Sequence, residues 1–147
     1  MRSFSLALLA YLTLLGIAPA AVASDADVLK RFGMLGRVAV DCAAPYSQSN
    51  PYQFYEISPK GKVTRTLRTG NPKIDATLSL RNVRMLATDL LQFEETGRAS
   101  VLTVSIVKID GKFRNWNSTQ ANGTVLIADG KFSDSGNPTV AFRFCGN

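Results

Sequence analysis

The chain has 147 residues, of which 46% are hydrophobic, with 17 Lys and Arg against 11 Asp and Glu, a net charge of +6, two Cys and no His. Without His there is no imidazole base to activate a Ser or Cys nucleophile and no imidazole metal ligand, so most hydrolase schemes and the common zinc sites drop out. No Gly-rich phosphate loop, Walker pattern or calcium-loop spacing is present either.

Residues 1–23 carry Arg2, an apolar run from Leu6 to Ile17, and a small-x-small ending at Ala21-Val22-Ala23. This is the layout of a secretory signal peptide. The apolar core is shorter than the roughly 20 residues a membrane-spanning helix needs, and Pro19 ends it. Cleavage before Ser24 leaves 16 basic residues against 11 acidic ones, a net of +5. The Lys and Arg are scattered and the protein is exported, which argues against nucleic acid as a partner. An envelope protein, a polysaccharide or anionic lipid fits a soluble, moderately basic exported domain better, and a monomer is expected.

Ser24 to Leu35 reads as a short helix, with Ser24 or Asp25 as its N-cap, Val28, Leu29 and Phe32 on one face, and Gly33 or Gly36 as its stop. Its apolar stripe is expected to lie on an end or flank of a sheet. Short strands follow at Arg37 to Cys42, Gln53 to Ile57, Lys62 to Arg68, Ala76 to Leu86 with a bend at Asn82, and Leu90 to Glu95. Loops at Ala43 to Pro51 and Thr69 to Asp75 interrupt them, and a last strand runs from Thr139 to Cys145.

Between Ala99 and Phe132 three β-rich runs are cut by Asp110-Gly111, Asn122-Gly123 and Asp129-Gly130. Each pair suits a type I′ hairpin turn, which needs two positive φ angles. A two-residue loop at Asp110-Gly111 pairs Ile109 with Lys112, Val104 with Asn117 and Ser105 with Trp116. Apolar residues then fall on both faces: Leu102, Val104, Ile106, Phe113 and Leu126 on one, Val101, Val107, Ile109, Trp116, Val125 and Ile127 on the other. Either both faces are covered or a bulge shifts the register. Nine or ten strands with frequent turns predict one all-β domain over 24–147, a small antiparallel meander closing into a barrel, with a short N-terminal helix.

Cys42 and Cys145 lie near the two ends of this domain, and in an oxidising compartment they are expected to form a disulfide joining its first and last strands. The adjacent Glu94 and Glu95 point to opposite faces of a strand and cannot converge on one bond, so they read as a solvated edge. No catalytic residue, metal ligand or cofactor site is assigned. Turn order suggests one further grouping. If turns alternate between the two ends of the barrel, Lys60, Lys62, Lys112 and Lys131 gather at one rim, a basic edge for phosphate or carboxylate groups. Asp89, Asp110 and Asp129 belong to the same turns, and near-neutralisation is the plainer expectation.

Phe32-Gly33-Met34-Leu35-Gly36-Arg37-Val38-Ala39-Val40-Asp41-Cys42, Asn50-Pro51-Tyr52 and Ser58-Pro59-Lys60-Gly61-Lys62-Val63-Thr64-Arg65 together resemble a family of small exported bacterial proteins without assigned function. Its pattern is F-G-x-L-G-x-W-x-x-D-C, and Val38 stands at the Trp position. The resemblance implies a signal peptide, a disulfide and a small β domain, and it carries no catalytic residue. The helix, glycine and meander are also similar to lipocalin-like (calycin) barrels, and the tied ends to periplasmic C-type lysozyme inhibitors. The expected function is a non-enzymatic periplasmic or secreted binding module; the alternative is an inhibitor of an envelope-directed hydrolase such as a lysozyme or secreted protease, using loop 43–51 or 69–75. A domain this short is expected to fill its interior with side chains, which favours a surface partner over an internal ligand.

Overall fold

The computed structural model describes residues 22–146, so the signal segment read at 1–23 lies, except for Val22 and Ala23, outside the described residues. The helix α1 (Asp25–Phe32) precedes ten strands: β1 (Gly36–Ala39), β2 (Tyr52–Ile57), β3 (Val63–Arg68), β4 (Ala76–Ala87), β5 (Leu90–Thr96), β6 (Leu102–Ile109), β7 (Lys112–Gln120), β8 (Val125–Ala128), β9 (Lys131–Phe132) and β10 (Ala141–Gly146). Strands β1 to β7 pair in sequence order, and β10 pairs with both β1 and β7, closing an eight-stranded antiparallel barrel. The short hairpin β8–β9 continues from the far part of β7 through Ser118–Ile127 and Thr119–Val125.

Helix α1 starts on a capping box. Ser24 Oγ accepts from the Asp27 amide while the Asp27 carboxylate accepts from the Ser24 amide, and Gly33 ends the helix at φ 81°. Its buried face, Val28, Leu29 and Phe32, plugs one end of the barrel against Val83, Phe113 and their neighbours. Burial of side chains of this size contributes about 1.5–3 kcal/mol each. The bend expected at Asn82 is a bulge, with Asn82 at φ 54° and the register shifting between Arg81 and Arg84. The Val83 amide donates instead to Asp25 Oδ1 at 2.8 Å, so the same irregularity that bends β4 docks the helix.

Asp110-Gly111 and Asp129-Gly130 have both residues at positive φ, as type I′ turns require. Asn122-Gly123 does not. There only Gly123 is positive, the Gly123 amide donates to the Gln120 carbonyl, and the Gln120 amide donates to the Thr124 carbonyl, a three-residue loop whose extra residue Asn122 stays at negative φ. The expected register also slips once. Ile109 pairs with Lys112, but Ser105 faces Asn117 and Val104 faces Ser118, because Trp116 is the extra residue of a bulge. Apolar residues remain on the outer face, Ile109 being 48% exposed. Val104, Ile106 and Phe113 point into the barrel, while Trp116 turns outward and is covered by the β8–β9 turn.

Gly130 sits at φ +72° with its absent Cβ 3.1 Å from the Trp116 ring, whereas Gly111 shares that φ with nothing within 4 Å. Gly111→Ala is therefore expected to cost about 1–2 kcal/mol for the left-handed backbone alone. Gly130→Ala should cost more, since the indole must also give way. Urea midpoints of the two variants measured side by side check the difference, and equal midpoints would show that Trp116 yields freely.

Candidate functional site

The interior of the barrel is divided along its axis. Near α1 it is filled by Val63, Leu80, Leu91, Phe93, Ile106, Phe113 and Phe142, as the sequence leads one to expect. At the other end Arg65, Glu95, Val104, Ser118 and Ile127 are buried as well. A cavity of about 620 Å³ opens there, with walls from Leu102, Val104, Ile127 and Phe132, polar groups from Asn115, Ser118, Thr124 and Ser133, and Arg98 and Asp134 also in its lining. The β8–β9 hairpin, which leaves the barrel at this end, supplies one side of the cavity through Val125, Leu126 and Ile127.

Arg65 and Glu95 complete the lining. Both face inward through strand alternation: Val63 and Arg65 are buried in β3, and Leu91, Phe93 and Glu95 in β5. The two strands flank β4, where Leu78 stands opposite Arg65 and Leu80 opposite Glu95. Arg65 Nη2 lies 2.5 Å from Glu95 Oε2, and the residues are 8% and 2% exposed. Arg65 Nε and Glu95 Oε2 are nevertheless buried without a hydrogen-bond partner among the described residues. The two side chains form a close, buried ion pair on strands β3 and β5 of the barrel wall.

Tyr55 stands directly across from Arg65 on β2, and its hydroxyl donates to Gln53 Oε1 at 2.9 Å. Burial raises the Tyr55 phenol above its ordinary pKa, with Arg65 pulling it part of the way back. Burial also works against the Arg65 charge, but Tyr55 and Glu95 outweigh it and raise the guanidinium further. Arg65 is thus a permanent cation inside the barrel, matched by one carboxylate.

Sequence reasoning missed both members of this pair. Glu94 and Glu95 do point to opposite faces, but only Glu94 lies on the outside, where it meets Arg81 Nε at 2.8 Å; Glu95 is no solvated edge. The signal that could have found it is the alternation Leu91, Phe93, Glu95, which places the carboxylate on the core face. The same reading of Val63, Arg65, Leu67 supplies its partner.

Cys42 and Cys145 are joined, with their Cα atoms 5.4 Å apart and 103 residues between them in sequence. The bond ties the segment after β1 to β10, the strand that closes the barrel. The four lysines are not all brought together. The turns 58–61, 88–89 and 110–111 lie at the α1 end by strand direction, which puts the exposed Lys60, Lys62 and Lys112 at that end. The turn 129–130 instead folds against the middle of β7, with the Gly130 amide on the Trp116 carbonyl at 2.8 Å, so Lys131 lies on the flank. Turn counting failed there because β8 and β9 are too short to run the length of the barrel.

Loop 40–51 is held by Asn50, whose side chain accepts from the Asp41 amide and donates to the carbonyls of Asp41, Ala44 and Pro45. Tyr52 Oη donates to Ala44 O, and Tyr46, half exposed, lies beside Gly70 of loop 69–75. Among the described residues no group of three His, Cys, Asp or Glu is placed to hold a metal ion, and no helix is long and apolar enough to cross a membrane. No protein-family model matches the chain, and neither a curated protein nor a solved structure matches it.

Proposed function

We propose that this chain is an exported, non-enzymatic binding protein of the periplasm or the exterior that holds a small, largely apolar molecule in the open end of its barrel. The carrying observation is the cavity itself. At about 620 Å³ it falls within the roughly 300–1,000 Å³ typical of ligand pockets, and apolar walls with a few convergent polar groups are their usual lining. Chain length alone favoured a surface partner, and the cavity supports an internal ligand instead. Export is supported by the pattern of residues 1–23 and by a disulfide, which persists in oxidising compartments.

The test is native mass spectrometry of the protein recovered from its own envelope fraction, together with Nile red titration of the purified protein. A stoichiometric small molecule, or saturable dye binding lost in Leu126→Trp, is expected. No bound molecule and no saturable dye binding would overturn the reading.

A second reading is supported by the pinned loop 40–51. Its Asn50 network and the Tyr46 contact with loop 69–75 preorganise an exposed surface that fits an inhibitor of an envelope-directed hydrolase, or another envelope protein or polysaccharide partner. A panel of lysozymes and secreted proteases left unslowed at micromolar concentrations of the protein would remove the inhibitor.

A further inference from the structure

We propose that the outer face of β7 and β10 carries a second ligand site, separate from the internal cavity: a slot for one residue of a carboxylate-bearing polysaccharide, held by Lys112, Arg114 and Arg143 beside Trp116. The strand register builds it. Across β6, β7 and β10, Ile109, Lys112 and Arg143 stand in one row, and Val107, Arg114 and Ala141 in the next. Phe113 and Phe142, paired between the rows, are buried in the barrel, so both rows face outward. Ile109, Asp110, Lys112, Arg114, Trp116 and Ala141 line a slot of about 260 Å³ that shares no lining residue with the internal cavity.

Lys112 stands directly opposite Arg143, a like-charge arrangement that costs a sheet stability. On β4, by contrast, Arg81 reaches Glu94 and Arg84 reaches Gln92 across the sheet. Among the described residues no ion pair involves Lys112, Arg114 or Arg143. Three cations against Asp110 leave this face positive, and an anion seated among them offsets the repulsion. The rest of the lining chooses among anions. A bare phosphate or sulfate makes no use of an indole and is repelled by the Asp110 carboxylate. An anionic bilayer is repelled by the same exposed carboxylate, and Trp116, half-buried, is poorly placed to insert into it. A sugar acid uses every part. Its apolar C–H face packs on the indole and Ala141, its hydroxyls donate to Asp110, and its carboxylate accepts from Arg114 or Lys112, with Arg143 beside them. At about 260 Å³, below the roughly 300 Å³ at which pockets for whole ligands begin, the slot suits one ring with the rest of the polymer outside.

Trp116 is the only tryptophan of the chain, so its fluorescence reports on this slot. Tetragalacturonate is titrated into the disulfide-bonded protein at low ionic strength and about pH 7, where the acid is ionised and screening is weak. Its fully methyl-esterified form keeps the rings without the charge, and tetraglutamate keeps the charge without the rings. Tetragalacturonate is expected to change Trp116 emission saturably, at a concentration at least about tenfold below either control. Lys112→Glu supplies the second arm. It turns the like-charge pair with Arg143 into an opposite-charge pair, so the urea midpoint should hold or rise while affinity for tetragalacturonate falls at least about tenfold. No saturable change up to millimolar acid, either control binding as tightly as the acid, or undiminished binding in Lys112→Glu would each overturn the site. Phosphatidylglycerol vesicles that change Trp116 emission where tetragalacturonate does not would assign this face to a membrane instead. None of these results bears on the internal cavity, whose own test is the dye and mass measurement above.

Discussion

Replacing both Cys42 and Cys145 by serine is expected to lower the free energy of unfolding by about 4.7 kcal/mol, the chain-entropy value for a closed loop of about 100 residues. The native loop spans 103 residues. Domains of this size are stable by only about 5–15 kcal/mol, so the variant sits near the edge of folding. The loss has a location. Strand β10 pairs with β7 through only Ala141, Phe142 and Arg143, and its ladder with β1 is broken by a register shift between Arg37 and Val38. The closing strand of the barrel is thus among its most weakly paired, and the disulfide secures it. With urea m-values of about 1–3 kcal/mol per molar, the midpoint should fall by at least about 1.5 M. In hydrogen exchange, the amides of β10 should lose protection before those of β4 to β6. A midpoint moving by less than about 0.5 M would show that the reduced, unfolded chain is already compact.

Arg65→Met is expected to cost about 3–5 kcal/mol, because it leaves the Glu95 carboxylate inside the barrel without its cation. Glu95 is 2% exposed, so water offers little relief. Arg65→Met combined with Glu95→Leu should behave differently. Removing both charges together is often neutral, or stabilising by about 1–4 kcal/mol, once apolar groups of similar volume take their place. The double variant should therefore recover most of what the single variant loses, measured by urea denaturation of all three proteins. If the double variant is no more stable than Arg65→Met, the pair is needed for packing and the barrel relies on it. Recovery of stability is the outcome expected of a pair that is not needed to hold the barrel together.

The all-β class, the capped helix, the strand positions and the disulfide partners were legible because each is a local or compositional signal. Type I′ pairs, a Ser24 cap with Gly33 beyond, period-two alternation and two cysteines near the ends of the domain need no knowledge of the rest of the molecule. Tertiary structure decided three other things. The Trp116 bulge arises where β7 must satisfy β6, β8 and β10, and a single-hairpin count cannot foresee it. The placement of Lys131 follows from the shortness of β8 and β9 as observed, which turns a presumed rim position into a flank. The cavity depends on how far α1 and its layer of side chains fill a closed barrel, a property of the whole interior volume. Arg65 and Glu95 lie 30 residues apart on strands that flank β4, and each taken alone reads as an ordinary charged strand residue. Only closure of the sheet buries both and brings them together beside the cavity.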